Sequence, residues 1–161
     1  MLKNLTGCTI LFAVIPTTNG HTQSILKRPL VSYENVRSKN MKDYDAIEET
    51  VFNYFEGYRT KSRELLEKSF VIEIANMKGY MKNEQGEMEL IDMSYKELID
   101  QWTNPDYTPF EFSEGNVLSI NIFSPIAATV VFDCGGMFLD TFQMLKINNK
   151  WRIANKFFVD Q

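Results

Sequence analysis

After Pro109 the hydrophobic period of this chain settles to two, and that change decides its fold class. Before it, Ile47, Val51, Tyr54, Phe55 and Tyr58 recur at helical intervals on one face. This pattern opens at Asp43, and Asp45 with Glu48 has capping-box spacing. A short helix fits Ser62 to Phe70, with Leu65, Leu66 and Phe70 inward. A third opens at Ser94, where Glu97 completes a capping box and Met93 can staple onto Leu98. It stops before Asn104-Pro105, because the residue preceding a proline leaves the α region. Strand-like runs at about 71–81 and 88–93 flank the turn signal Asn83-Glu84-Gln85-Gly86. After Pro109 the period is two. Residues 117–123, 126–133, 137–147 and 151–159 predict four antiparallel strands, joined at Ser124-Pro125, Gly135-Gly136 and Asn148-Asn149. About three helices followed by a run of strands means α+β, with the helices on one face of a mostly antiparallel sheet.

If each joint is a two-residue loop, cross-strand partners follow by counting. Met144 then faces Ile153, Phe142 faces Asn155 and Asp140 faces Phe157. Asp133 faces Phe138, Val131 faces Asp140, Ala127 faces Ile122 and Thr129 faces Ile120. One face gathers Leu118, Ile120, Ile122, Ala127, Thr129, Val131, Phe138, Phe142, Met144, Ile153 and Phe157 as a core. Asp133, Asp140 and Asn155 are its polar intrusions. The opposite face carries Phe123, Ile126, Val130, Phe132, Leu139, Leu145 and Phe158, too apolar a set to leave in water. A homodimer through that outer face is the expectation. A three-residue loop would flip one strand's parity and shift the assignment with it.

The first segment reads as an export signal. Leu5 to Ile15 is mostly apolar, ends at Pro16 and is followed by a polar run to His21. Such a run is too short to cross a bilayer as a helix, which needs roughly twenty residues, but it suits the h-region of a signal peptide. Residues 1–21 are therefore expected to be removed. The protein is expected to be periplasmic or extracellular, with no stable membrane insertion afterwards. Residues 22–42 carry Lys27, Arg28, Arg37, Lys39 and Lys42 against Glu34 alone and read as a basic linker. Residues 43–161 hold 11 basic and 20 acidic side chains, so the domain boundary is placed at Asp43. With a formal charge of −4 and a pI near 5.1, the chain has no general pull on nucleic acid. Its two cysteines cannot support a disulfide framework.

The closing strands carry a recognisable string. Phe138-Leu139-Asp140, Leu145-Lys146, Trp151-Arg152-Ile153 and Asn155-Lys156-Phe157-Phe158 resemble the end of the putative lumazine-binding group. That group belongs with the SnoaL-like proteins to the nuclear transport factor 2-like superfamily. Asp45 to Tyr58 resembles its first helix and Ser94 to Trp102 its third. Asn149 stands where the group more often has a turn glycine, and asparagine tolerates the same left-handed backbone. The resemblance implies a cone, with helices wrapped on a strongly bent sheet and a pocket at the open end. The superfamily uses that pocket for catalysis, for ligands and for protein contacts, so fold does not decide function.

His21, the only histidine, lies in the signal segment, and residues 43–161 have none. Histidine-based acid–base and nucleophilic chemistry is thereby excluded from the domain. Cys134 alone cannot make a structural metal site, and Gly135-Gly136 is a hairpin joint rather than a phosphate loop. Neither metal nor cofactor is expected. Carboxylate and phenol chemistry remains. Asp140 with Tyr54 or Tyr58 over it is a minimal proton-shuttling set, the basis for reading the chain as a histidine-free isomerase or hydrolase. The plainer expectation is that Asp140 accepts hydrogen bonds from the backbone or from Lys156 and locks the sheet. Trp102, Tyr107 and Phe110 flank Asn104-Pro105 and can line a pocket mouth. Cys134 reads as buried and inert, and Met77, Met81, Met88 and Met93 as core filler. The leading expectation is a small-molecule-binding domain for a small apolar or aromatic ligand. Its pocket is lined by Tyr54, Tyr58, Trp102, Phe138, Asp140, Phe142, Asn155 and Phe157. A protein-interaction module with a filled cone is the third reading, separable by volume, since ligand sites usually offer roughly 300 Å³ or more.

Overall fold

The computed structural model describes residues 41–83 and 85–161. The expected signal peptide at 1–21 and linker at 22–42 lie outside them, except for Met41 and Lys42. Those two residues open helix α1 (Met41–Arg59), so the helix starts ahead of the boundary set at Asp43, and Asp45 lies inside it rather than at its cap. Asp43 occupies the first turn, where the helix dipole favours a carboxylate. Its Oδ1 accepts from Lys146 Nζ and Trp151 Nε1. Ile47, Val51, Tyr54, Phe55 and Tyr58 are buried together, as their spacing predicts.

Helix α2 (Arg63–Ser69) is capped by Ser62, whose side chain accepts from the Leu65 N–H. Residues 71–75 form a turn rather than the start of a strand. Strands β1 (Asn76–Lys82) and β2 (Met88–Ser94) then make a hairpin. Asn83 Oδ1 holds its turn by accepting the N–H groups of Gln85 and Glu87. Helix α3 (Tyr95–Trp102) follows at once. Ser94 Oγ accepts from the Glu97 N–H and donates to Glu97 Oε2 at 2.8 Å, so the capping pair closes between side chains. Strands β3 (Gly115–Ser124), β4 (Ala127–Cys134), β5 (Phe138–Ile147) and β6 (Lys150–Asp160) complete a six-stranded sheet in the order β2-β1-β6-β5-β4-β3. Among the described strands only the β1–β6 pairing is parallel, with an isolated parallel bridge between Phe70 and Ile153. The class is α+β, as the change of period implies.

Counting fails along much of the sheet. In the β3–β4 hairpin, a shift between Ile122 and Ser124 pairs Ile122 with Ala128 and Ile120 with Val130, rather than with Ala127 and Thr129. The β4–β5 loop has three residues, because Cys134 pairs with Phe138. Gly135 and Gly136 both adopt left-handed φ angles, 59° and 70°, which glycine takes without steric cost. Strand β4 is therefore turned over. Ala128, Val130, Phe132 and Cys134 enter the core, while Ala127, Thr129 and Val131 do not. On β6, Met144 pairs with Ile153 and Gln143 with Asn155, which leaves Ala154 as a bulge. Beyond it Lys156 and Phe158 face inward and Asn155 and Phe157 outward. A further irregularity in β3 leaves Leu118 exposed. The expected outer face thus loses Val130, Phe132 and Phe158 to the core. It keeps Phe123 and Ile126, both exposed, with Leu139 and Leu145 half-buried. The β5–β6 loop behaves as counted, with Asn148 and Asn149 both at left-handed φ.

One close approach fixes the inner face. The Phe158 ring lies flat against Gly79 of β1, where an added Cβ would sit 2.0 Å from Phe158 Cε1. Only glycine leaves room for that ring.

Candidate functional site

A cavity of about 170 Å³ opens between α1, α3, the β1–β2 hairpin and the segment that joins α3 to β3. Two kinds of wall enclose it. Tyr54, Tyr58 and Trp102 stand on the helical side, and Tyr107, Phe110 and Phe112 come from the joining segment. Opposite them, Met77, Met81, Ile91 and Met93 come from the hairpin. Methionines there follow from alternation, since Met77 pairs with Met93 and Met81 sits four residues along the same face. The volume is below the usual ligand-site range. It is close to that of an apolar cavity of about 150 Å³ that accepts benzene.

The joining segment is pinned in place. Tyr58 and Tyr107 share a hydroxyl–hydroxyl hydrogen bond of 2.9 Å, and the Phe110 N–H donates to the Tyr58 oxygen at 2.9 Å. Lys61 Nζ donates to the carbonyls of Asn104 and Pro105. The Asn104-Pro105 break that ends α3 is thus also where the wall of the cavity is tied down.

At the inner end the cavity meets a buried polar group. Lys156 Nζ lies 2.9 Å from Asp140 Oδ2 and donates to the Tyr54 hydroxyl at 2.6 Å. Tyr54 in turn donates to Asp140 Oδ2 at 3.3 Å, and Cys134 Sγ donates to the same oxygen at 3.5 Å. Asp140 is 0% exposed and Lys156 5%. Asp140 Oδ1 has no hydrogen-bond partner among the described residues. The ammonium lies against the rings of Tyr54 and Phe158, 4.9 and 5.0 Å from their centroids, a favourable cation–π position. Burial pushes Asp140 above the ordinary carboxylate range, although Lys156, Cys134 and Tyr54 all pull the other way. Burial first, and then the Asp140 charge, push the Cys134 thiol and the Tyr54 phenol up as well. Neither is an activated nucleophile, in line with the inert cysteine expected from the sequence.

Of the residues expected at the site, Tyr54, Tyr58, Trp102 and Phe138 line the cavity. Asp140 and Phe142 lie behind Tyr54, the latter with ring centroids 5.5 Å apart. Asn155 and Phe157 are on the far side of the sheet, where Asn155 Nδ2 donates to Gln143 Oε1 and Phe157 is 47% exposed. The Ala154 bulge is the reason, since it reverses every side chain after it. In their place stand Lys156 and Phe158, neither of which the sequence put on the cavity wall. Of the methionines expected as apolar filler, Met77, Met81 and Met93 are walls of the cavity instead, and Met88 is exposed. Nothing in their spacing distinguishes a filled core from a lined one. Among the described residues no three His, Cys, Asp or Glu side chains gather as a metal site.

Comparison with known proteins agrees with this architecture. The solved structure of a nuclear transport factor 2-like protein of unknown function from Shewanella baltica aligns with a TM-score of 0.58 at 24% identity. It covers 74% of this chain and 94% of that one. A nuclear transport factor 2-like protein of unknown function from Methylobacillus flagellatus aligns at 0.59 and 24%, covering 74% and 93%. A ketosteroid isomerase-like protein from Erwinia carotovora atroseptica aligns at 0.51 and 11%, covering 72% and 94%. At these identities the likeness shows the fold alone. No curated protein matches the sequence. The family model described as Putative lumazine-binding matches residues 42–159, most of the chain. The chain belongs to that family, and its fold is that of the nuclear transport factor 2-like structures.

Proposed function

We propose that this domain binds a small aromatic or apolar molecule in the cavity between its helices and its sheet. The observation that carries the reading is the cavity itself. It is about 170 Å³ of space walled by rings and thioethers, with a buried charge pair at its inner end. A fold serving only as a protein-contact module would gain stability by filling that volume, since an apolar void forfeits dispersion contacts. The volume also sets the size of the ligand at one ring or a compact pair, smaller than the usual drug-sized occupant. The family description makes lumazine one probe to try. Native mass spectrometry of the purified chain should reveal a bound small molecule. Failing that, a panel of monocyclic and bicyclic aromatics should raise its melting temperature. An empty protein that no aromatic stabilises would overturn the proposal.

The geometry gives less support to a histidine-free isomerase or hydrolase. A general base must reach the proton it removes, and Asp140 stands behind Tyr54 with Oδ2 already taking three donors. Two further parts of the proposal concern the protein's setting. It is exported after loss of about the first twenty residues, which an intact mass of the mature form tests. It also pairs with a second copy through the sheet face that carries Phe123, Ile126, Leu139 and Leu145. Sedimentation of Leu139→Asp against the parent tests the pairing, and a parent that stays monomeric at high micromolar concentration would refute it.

A further inference from the structure

Lys156 is the only buried lysine among the described residues, and its hydrogen bonds are incompletely used. An ammonium has three N–H donors and no acceptor. The Tyr54 hydroxyl takes one and Asp140 Oδ2 a second. The rings of Tyr54 and Phe158 flank the nitrogen, and both rings also line the cavity, as Lys156 does. The inner end of the cavity therefore has one donor left, in a mostly apolar enclosure whose other polar lining is Gln101 and the tyrosine hydroxyls. A buried donor with no acceptor is costly, so a ligand supplying an acceptor there gains more than its apolar surface alone would give.

Charge decides which acceptor. Lys156 and Asp140 balance one another at 2.9 Å. An anionic ligand would leave a net negative charge in the enclosure, and a cationic one would add a second positive charge beside Lys156. Either leaves a buried charge without a partner. A neutral carbonyl oxygen takes the remaining N–H and leaves the balance untouched. We infer that the cavity selects neutral aromatic carbonyl compounds, one ring bearing an amide or lactam, with Lys156 as the residue that recognises the oxygen. This rests on the ligand-binding reading above and adds the chemical class and the recognising residue.

The test titrates the full chain with benzamide, benzoate and toluene, followed by NMR chemical shifts of the Trp102 indole and the cavity methionine methyls. Benzamide should bind about tenfold or more tightly than toluene, the margin expected of a hydrogen bond to a charged donor. It should also bind more tightly than benzoate. In Lys156→Met the margin over toluene should vanish while toluene binding persists. Should that variant fail to fold, the double variant Asp140→Asn, Lys156→Met removes both charges and takes its place. Equal binding of benzamide and toluene overturns the inference and leaves the aromatic cavity standing. Tightest binding by benzoate, or a margin that survives loss of Lys156, also overturns it. If none of the three binds, the ligand-binding reading fails together with the inference.

Discussion

Two lysine–aspartate pairs tie helix α1 to strands β5 and β6, and they obey opposite rules. At the start of the helix, Asp43 meets Lys146 and the Trp151 indole, with both charged side chains 22% exposed. Near its middle, Tyr54 meets Asp140 and Lys156, which are deeply buried. Burial is the largest single influence on Asp43 and pushes it up, yet its bonds to Lys146 and Trp151 together outweigh it and bring the carboxyl below its ordinary value of 3.8. Burial pushes Asp140 up more strongly than Lys156 and its other donors can reverse. The chemistry of the partners is the same. Access to water sets the sign, because the desolvation of a charge is a cost that the partner cannot remove.

The sharpest way to break the comparison is to remove a lysine from the buried pair. Lys156→Met should cost about 3–5 kcal/mol in urea unfolding, because it strands Asp140 without a counter-charge. Adding Asp140→Leu to that variant should restore most of the loss. A cost of under about 1 kcal/mol would mean that water reaches the pair after all. Packing around the pair comes next. Gly79→Ala places a methyl group inside the Phe158 ring that covers Lys156, and should cost about 2 kcal/mol by displacing it.

How much of this was legible in the sequence follows the same division between local and non-local causes. The helices, the cap at Ser94, and the α+β class could be read because each depends on residues a few positions apart. Tyr54, Tyr58 and Trp102 reached the cavity for that reason, since helical spacing fixes their face. Parity along a strand instead accumulates over its length, so one extra residue reverses every position beyond it. The third residue in the β4–β5 loop and the Ala154 bulge did this to Val130 and Phe132, and to Asn155 through Phe158. Neither has an unambiguous local signal. Gly135-Gly136 suits a two- or three-residue loop equally, and alanine marks no bulge. Lys156 was visible as a possible partner of Asp140 but not as a wall of the cavity, because its side of the strand depended on that bulge.

At the open pair the effects should be smaller and should depend on pH. Asp43→Asn should cost about 1 kcal/mol at neutral pH, as the lysine contact weakens and the indole bond loses its charge. The folded-state value of Asp43 is depressed, so its contribution is present above the ordinary 3.8 and lost as pH falls through the lower folded value. Parent and variant should therefore converge in acid. Asp140 runs the other way. Its folded value is raised, so its contribution to stability falls as pH rises from 3.8 to that value and is level above it. Against Asp140→Asn, the parent should gain ground on acidification through that window, which lies above 3.8, whereas Asp43 loses ground only below 3.8. Denaturation midpoints across the acid range check both signs. The exposed pair Lys78–Asp92 at the β1–β2 edge sets the floor. Lys78→Ala should change stability by less than about 0.5 kcal/mol.

The Ala154 bulge has a consequence in arc length. Between Ile153 and Asn155, β6 spends one residue more than β5 spends between Met144 and Gln143. A strand advances about 3.3 Å per residue, so two chains that stay hydrogen-bonded on both sides of the mismatch cannot run straight together. Like lanes on a running track, the longer one must take the outside of a curve. Excision of Ala154 would keep the pairs Met144–Ile153, Gln143–Asn155 and Phe142–Lys156, so Lys156 would still face inward. The surplus length would be gone, and with it the bend. A sheet straightened there would carry the same side chains on the same face around a differently shaped space.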